Sequence, residues 1–299
     1  MCYIPGMKIL LTGATGYIGG QLLPRLSQDH QVRCMVRKPE GFGHPYGCEV
    51  VRGDVLSGWG LEDALEGVDV AYYLIHSMTG GGNFSYREKL GAEKFARASR
   101  NAGVRRVVYL GGLGPESGGA SEHLQSRHVT AEILESSAPE FVYARAAVVL
   151  GEGSASFLML RHLVEKLPAM ICPRWIDVRT QPIASEDLVE ALVHCAEAPN
   201  LQGEVQLGGK DVISYREMML ALARAEGRSQ PLILKVPVLT PRLSSYWISF
   251  ISSVDTGLAR ALVDSLKTET IVTKKPPPGI NDRPMGIDQA MRRALGEED

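Results

Sequence analysis

Three glycines spaced as Gly13-x-x-Gly16-x-x-Gly19 are the residues of this chain best suited to hold a phosphate. They lie in Thr12-Gly13-Ala14-Thr15-Gly16-Tyr17-Ile18-Gly19. Gly13 permits a tight turn. Gly16 leaves the backbone bare for a pyrophosphate to approach, and Gly19 lets a helix pack close to a strand. The N–H groups and positive dipole where that helix starts, with Thr15, Tyr17 and Ile18 in the same turn, then hold the anion. Such a turn binds a dinucleotide only between a strand and a helix. Ile9-Leu10-Leu11 before it reads as a buried strand, and Leu22, Leu23 and Leu26 after it recur on one side of a helix. The competing reading is an ordinary turn, and the flanking pattern argues against it.

The choice of dinucleotide is written about 20 residues further on, where an acidic residue binds the ribose hydroxyls of NAD. Here the second strand, Val32–Val36, runs into Arg37-Lys38 with no carboxylate at its tip. Two cations suit the extra 2′-phosphate of NADP, and a guanidinium grips phosphate through a fork of donors. NADP is therefore favoured, with NAD as the second choice and a solvated basic turn as the bland alternative. After the third strand, Glu49-Val50-Val51, come Asp54 and Val55. Asp54 could accept a hydrogen bond from the adenine amino group, and an Asp that only builds a turn looks the same. The fourth strand, Val68–Ile75, ends on Ile75 and His76, where loops reach a ligand crevice. Histidine there could exchange protons or merely pack. Gly80-Gly81-Gly82-Asn83 follows, flexible enough for a lid.

These residues need a scaffold, and the pattern supplies one. Strands and helices alternate: helix Phe84–Asn101, strand Arg106–Leu110, helix Ser121–Ser137, strand Glu140–Ala144 and helix Ser185–Ala198, with Ser185 as its N-cap. Alternation of this kind, with right-handed crossovers, predicts an α/β fold with a doubly wound parallel sheet. Its crevice lies at the carboxyl ends of strands one and four. Past Gly203 the rhythm changes. Glu204–Leu207 reads as a short strand, and Ser214–Glu226 as a helix capped by Ser214 and stopped by Gly227. Short mixed elements follow at Leu232–Val236, Pro241–Val263 and Thr270–Val272, and Pro276-Pro277-Pro278 sets off a charged tail. The expected division is a dinucleotide-binding domain over 1–203 and a small C-terminal cap over 204–299.

Composition narrows the partners. A net charge of −2 over 299 residues gives no reason to expect nucleic acid or an anionic membrane surface. The cysteines Cys2, Cys34, Cys48, Cys172 and Cys195 form no CxxC pair, so neither a metal site nor a disulfide framework is indicated. Met1–Gly6 lacks the basic-then-apolar plan of a leader, and a cytoplasmic location is the default. Tyr246–Ile251 is apolar but far shorter than the roughly 20 residues that span a bilayer. An oligomeric state is not specified by any of these patterns.

TGATGYIG, the strand end Tyr73-Leu74-Ile75-His76-Ser77-Met78, Tyr109-Leu110-Gly111-Gly112-Leu113 and Gln181-Pro182-Ile183 together resemble the atypical short-chain dehydrogenase/reductases. The chain is most similar to a bacterial NAD(P)-binding subgroup with HxxxR where most relatives carry YxxxK. The resemblance covers roughly Met7–Glu226. It implies a seven-stranded Rossmann core and a dinucleotide, and it names no substrate. In most of that superfamily a Tyr exchanges the substrate proton, a Lys one turn later holds the nicotinamide ribose, and a Ser on the fifth strand orients the carbonyl. Here His123 falls at the Tyr position, Arg127 at the Lys position, and Gly111-Gly112 in the Ser region. His123 and Arg127 share one helix face at i and i+4. Histidine serves as a general acid or base; Arg stays charged and cannot shuttle protons, so its part is to bind ribose or phosphate oxygens.

Two functions fit these residues. One is an NADP-dependent oxidoreductase acting on an organic carbonyl, alkene or quinone, with His123, Arg127 and His76 as catalytic candidates. The other is a non-catalytic dinucleotide-binding sensor or partner-binding regulator, favoured by the missing Tyr and Ser. An apolar pocket beside the nicotinamide separates them, since an enzyme needs one.

Overall fold

The computed structural model describes residues 6–76, 84–115, 122–166, 169–172, 174–235 and 268–297. Short apolar runs become strands buried on both faces, as parallel strands require. They are β1 (Lys8–Thr12), β2 (Gln31–Val36), β3 (Glu49–Arg52), β4 (Val70–Tyr73), β5 (Arg106–Gly112) and β6 (Glu140–Ala146). Between them lie α1 (Tyr17–Leu26), α2 (Leu61–Leu65), α3 (Phe84–Asn101) and α4 (Glu122–Leu134). The chain continues through β7 (Val149–Leu150), α5 (Ala155–Lys166), β8 (Ala169–Cys172), β9 (Arg179–Thr180), β10 (Ile183–Ala184) and α6 (Ser185–Glu197). Next come β11 (Gly203–Leu207), β12 (Ile213–Ser214), α7 (Tyr215–Ala225), β13 (Leu232–Lys235) and α8 (Ile287–Ala294).

Seven strands form one sheet in the order β11-β6-β5-β4-β1-β2-β3. Every neighbouring pair in it is parallel. This is the doubly wound α/β architecture expected. β2 and β3 lie on one side of β1 and the later strands on the other, so the winding reverses between β1 and β4 and leaves a crevice at their carboxyl ends. The short strand at 204–207 is the outer strand of this sheet, paired with β6.

Helices cover both faces. Leu22, Leu23 and Leu26 of α1 meet Leu188 and Leu192 of α6 on one. Leu61, Leu65, Phe95 and Leu134 of α2, α3 and α4 cover the other. A separate apolar cluster joins α5, α7 and α8 through Phe157, Leu160, Met219, Leu222 and Met291. Each such side chain contributes about 1.5–3 kcal/mol by leaving water. Arg106 at the start of β5 is fully buried. Its Nε donates to Glu140 Oε2 at 2.9 Å, and its Nη1 donates to the Cys195 and Ala196 carbonyls at 3.0 and 2.7 Å. Those carbonyls belong to the last turn of α6, where no intrahelical partner exists and the dipole is negative. The charge is tolerated because Glu140 pairs it and the carbonyls take up its Nη1.

Some local expectations change. β4 spans Val70–Tyr73 rather than Val68–Ile75, so Ile75 and His76 lie beyond the strand. β5 runs on through Gly111 and Gly112, where glycine would normally weaken a strand, because the Tyr143 ring packs over Gly111. Ser185 is not the N-cap of α6: Ala184 is, without a side-chain hydrogen bond, because β10 leads straight into the helix. Ser214 does cap α7, in a reciprocal box with Glu217, and Gly227 ends that helix at φ +64°. Of Thr270–Val272, only Thr270 makes a bridge, with Thr180. The segment after the prolines is no free tail. Asp187 Oδ2 and Asp211 Oδ2 accept the Met285 and Ile287 N–H groups at 2.7 Å, and Met291 of α8 is fully buried. Gly80–Asn83 and Pro241–Val263 lie outside the described residues. Among the described residues, no helix is long and apolar enough to cross a membrane.

Candidate functional site

The glycine turn joins β1 to α1. Gly13 has φ +77°, and a Cβ there would stand 2.7 Å from the Leu74 carbonyl oxygen of the neighbouring strand end. Gly16 donates its N–H to Gly13 O at 2.9 Å and closes the turn. A Cβ on Gly19 would lie 2.2 Å from the same oxygen, so only glycine lets α1 approach. Gly16 differs: it is exposed, and a Cβ would meet only Gly13 O, at 3.1 Å. Packing therefore demands Gly13 and Gly19, and the bare surface at Gly16 is left for a ligand. Gly16 is the N-cap of α1, with no side-chain cap and no acidic residue in the first turn. The first N–H groups of a helix need an outside acceptor, and an anion fits here. Thr15 is exposed beside them. The Tyr17 and Ile18 side chains turn inward: Ile18 packs on the core, and the Tyr17 hydroxyl occupies the space a Cβ on Gly151 would need. Thr12 ties β1 to β4 beneath the turn, donating to Tyr72 O at 2.8 Å and accepting from Leu74 N at 3.3 Å.

At the other edge, Arg37 and Lys38 are exposed past the end of β2, and Lys38 caps the short turn Pro39–Gly41. Neither has an ion pair among the described residues, so both charges are available. Asp54 builds the turn after β3, accepting the Leu56 N–H on Oδ1 at 3.0 Å. Val55 is buried against α3 at Gly91.

The far end of the crevice is made of side chains. Tyr73, Tyr109 and Tyr143 are in register on β4, β5 and β6. Their ring centroids are 6.0 and 5.4 Å apart, a ladder across three strands. Burial raises the Tyr73 and Tyr109 phenols, so both stay protonated. Arg127 of α4 is buried beside this ladder. Burial lowers its guanidinium to about 10, against a smaller upward pull from Tyr143 and Tyr73, so it is charged at neutral pH. Its Nη1 donates to His76 Nε2 at 2.9 Å and also touches Nδ1. A guanidinium only donates, so the contact favours an unprotonated imidazole nitrogen facing it. Behind them, buried Glu88 of α3 accepts the Ser126 hydroxyl at 2.5 Å, fixing α3 against α4.

The structure thus brings Arg127 and His76 together, with Ile75 partly buried next to them. His123 stands on α4, one turn before Arg127, but its side chain lies outside the described residues. The Ser region is filled: Cβ atoms on Gly111 and Gly112 would each stand 2.6 Å from the Tyr143 ring and Leu124 Cδ2. Sequence reasoning missed the tyrosine ladder, although YY, VVY and FVY near the ends of three successive strands were its signal. It also missed Arg145, buried on β6, whose Nε donates to Gly112 O at 3.2 Å while other nitrogens hold Gly114 O and Glu204. Desolvation at Glu204 is outweighed by hydrogen bonds from Gln206 and Arg145, so its pKa is lowered. Beyond the loop Arg145 holds, a cavity of about 140 Å³ opens between Gly112, Leu124 and helices α5 and α7.

Comparison with known proteins agrees with this arrangement. Residues 13–161 match the sequence profile of a family described as NAD(P)H-binding. Over 237 residues the chain is 27% identical to the ceramide reductase of Caulobacter vibrioides, spanning 77% of this chain and 73% of that protein. Over 230 residues it is 28% identical to the (4-alkanoyl-5-oxo-2,5-dihydrofuran-3-yl)methyl phosphate reductase of Streptomyces griseus, spanning 74% of each. The fold matches Citrobacter sp. triphenylmethane reductase with a TM-score of 0.76 at 18% identity, over 97% of this chain and 100% of the other. Residues 13–161 therefore resemble the NAD(P)H-binding family, and the sheet they help build has the Rossmann-type topology that suits a nicotinamide dinucleotide.

Proposed function

We propose that this protein is an NADP-dependent oxidoreductase acting on an organic carbonyl, alkene or quinone. The observation that carries this reading is the meeting of charged Arg127 and His76 past β4, on the crevice side of the sheet. The similarity to two reductases over 77% and 74% of the chain supports it. Arg37 and Lys38 take the 2′-phosphate, the turn from Gly13 to Gly19 takes the pyrophosphate, and Asp54 stands at the adenine end. The division expected at residue 203 shifts, because Gly203–Leu207 is a strand of the main sheet: the chain through Leu207 holds the dinucleotide, while the segments after it close the substrate side.

A bound nicotinamide supplies or accepts a hydride, two electrons at a time. What this chain adds is position and a proton. Arg127, fixed in charge, anchors the ribose side. It also holds the His76 imidazole as a base, able to take the hydroxyl proton of an alcohol substrate as hydride leaves carbon. In the reverse direction the imidazolium returns that proton to the carbonyl oxygen, and Arg127 makes it a stronger acid by disfavouring the charged ring. His123, in the HxxxR spacing with Arg127, is the second proton-exchange candidate.

Calorimetry with NADPH and NADH, followed by NADPH oxidation against carbonyls, alkenes and quinones, tests the reading. Tight NADPH binding with turnover of one class supports it; no dinucleotide binding by folded protein overturns it. One observation favours the regulator reading instead: Tyr143 and Leu124 fill the space a carbonyl-orienting Ser would use. Tight binding without turnover of any class would select that reading.

A further inference from the structure

We infer that the substrate presents an uncharged, apolar group about the size of one six-membered ring to the cavity beyond Gly112. This rests on the oxidoreductase reading and narrows its substrate class. The cavity holds about 140 Å³. A cavity of about 150 Å³ with aliphatic and aromatic walls stays dry and takes up benzene. Its walls here are Leu124 of α4, Met159, Leu160 and Leu163 of α5, and Met218 and Met219 of α7. Leu124, on the cavity wall, lies one turn before Arg127 on α4, and Gly112 at the end of β5 also lines the cavity, which puts it toward the carboxyl end of the sheet.

Charge has no partner in this space. None of the described residues lining it is charged. Of the hydroxyls, Thr270 is bonded to Thr180 at 2.7 Å, Tyr215 also bonds to Thr180, and Ser156 offers the wall one neutral hydroxyl but no charge. The nearby cation, Arg145, is committed to the Gly112 and Gly114 carbonyls and to Glu204. A carboxylate or phosphate entering the cavity would lose its hydration and gain no cation. A flat or bent apolar group would be met by three methionines, which adapt to irregular shapes. Polar parts of a larger substrate therefore stay at the mouth.

The test uses the full chain carrying methyl-labelled methionine and saturated with NADP⁺. Acetophenone and benzoate are titrated in parallel, since they match in size and differ in charge. The Met159, Met218 and Met219 methyl resonances shift with acetophenone, which binds at least tenfold tighter than benzoate, while Met35 beneath the sheet stays still. Ala147→Phe, which fills the cavity from its lining, weakens acetophenone at least tenfold and leaves NADP⁺ affinity within twofold. If NADP⁺ binds and neither compound moves the three methyls, the cavity inference fails and the cofactor reading stands. Equal binding of benzoate overturns the uncharged class. Failure of folded protein to bind NADP⁺ overturns the reading beneath both. The wild-type titration decides even if Ala147→Phe does not fold.

Discussion

At the phosphate end of the crevice the working atoms are backbone N–H groups, and the side chains that matter are the ones missing. At the proposed nicotinamide end the candidate groups are all on side chains: Arg127, His76 and the tyrosines beside them. The first end has almost no freedom, because Gly13 and Gly19 are squeezed by backbone atoms 2.7 and 2.2 Å from where a Cβ would sit. The second can be rebuilt. Here the hydroxyl-bearing position on β5 has become glycine, and the Tyr143 ring from the next strand occupies the room. Binding chemistry made of backbone is preserved by geometry, whereas reaction chemistry made of side chains can change within an unchanged sheet.

The sharpest way to break this contrast is at the glycines. Gly19→Val forces a side chain into the turn's own carbonyl, and the chain fails to fold, measured by loss of the cooperative thermal transition. Gly16→Val has room to fold and loses dinucleotide affinity by more than a hundredfold in calorimetry; retained affinity would remove the pyrophosphate from this turn. At the opposite end, His76→Ala lowers turnover by about 10²–10⁴ if His76 exchanges the proton, with dinucleotide affinity nearly unchanged. If His123→Ala produces that loss and His76→Ala does not, the proton passes through α4 instead.

Smaller effects sharpen the picture. Arg37→Glu weakens NADP by about 1.5–3 kcal/mol, the scale of hydrogen bonds to charged groups, and barely alters NAD. Equal losses would mean that Arg37 does not read the 2′-phosphate. The least effect is on stability. Glu204 has a folded-state pKa below its ordinary value, so its contribution is complete above that value and is lost as pH falls through the lowered one. Glu204→Gln therefore flattens the decline of the denaturation midpoint as pH falls below the ordinary glutamate value. A decline as steep as in the parent chain would show that the Arg145 clamp does not depend on this charge.

The difference between the two ends also explains what was legible in the residues. The glycine turn is local, so thirteen consecutive letters from Met7 to Gly19 carried strand, turn and helix together. The α/β alternation and the Ser214 cap were legible for the same reason. Arg127 and His76 could each be picked out, but their contact spans 51 residues and depends on how α4 packs over β5, which no local pattern states. Arg127 was expected to bind ribose or phosphate oxygens, and among the described side chains it also contacts His76. The helix after the prolines was hidden by its charge, although Ile287, Ala290, Met291 and Ala294 follow the helical period and supply its buried face.

Arg106 carries a consequence for how the chain is made. Its charge is neutralised only when Glu140 and the final carbonyls of α6 have arrived, and α6 is also the helix on which α1 rests through the Arg25–Glu190 pair. During synthesis, therefore, the glycine turn emerges first but its supporting helix comes nearly two hundred residues later. At about 5–20 residues per second, the ribosome needs roughly ten to forty seconds to span that gap. Arg106 itself precedes those carbonyls by 89 and 90 residues, so for roughly 5–18 seconds of that interval the nascent sheet carries an arginine that lacks its α6 partners.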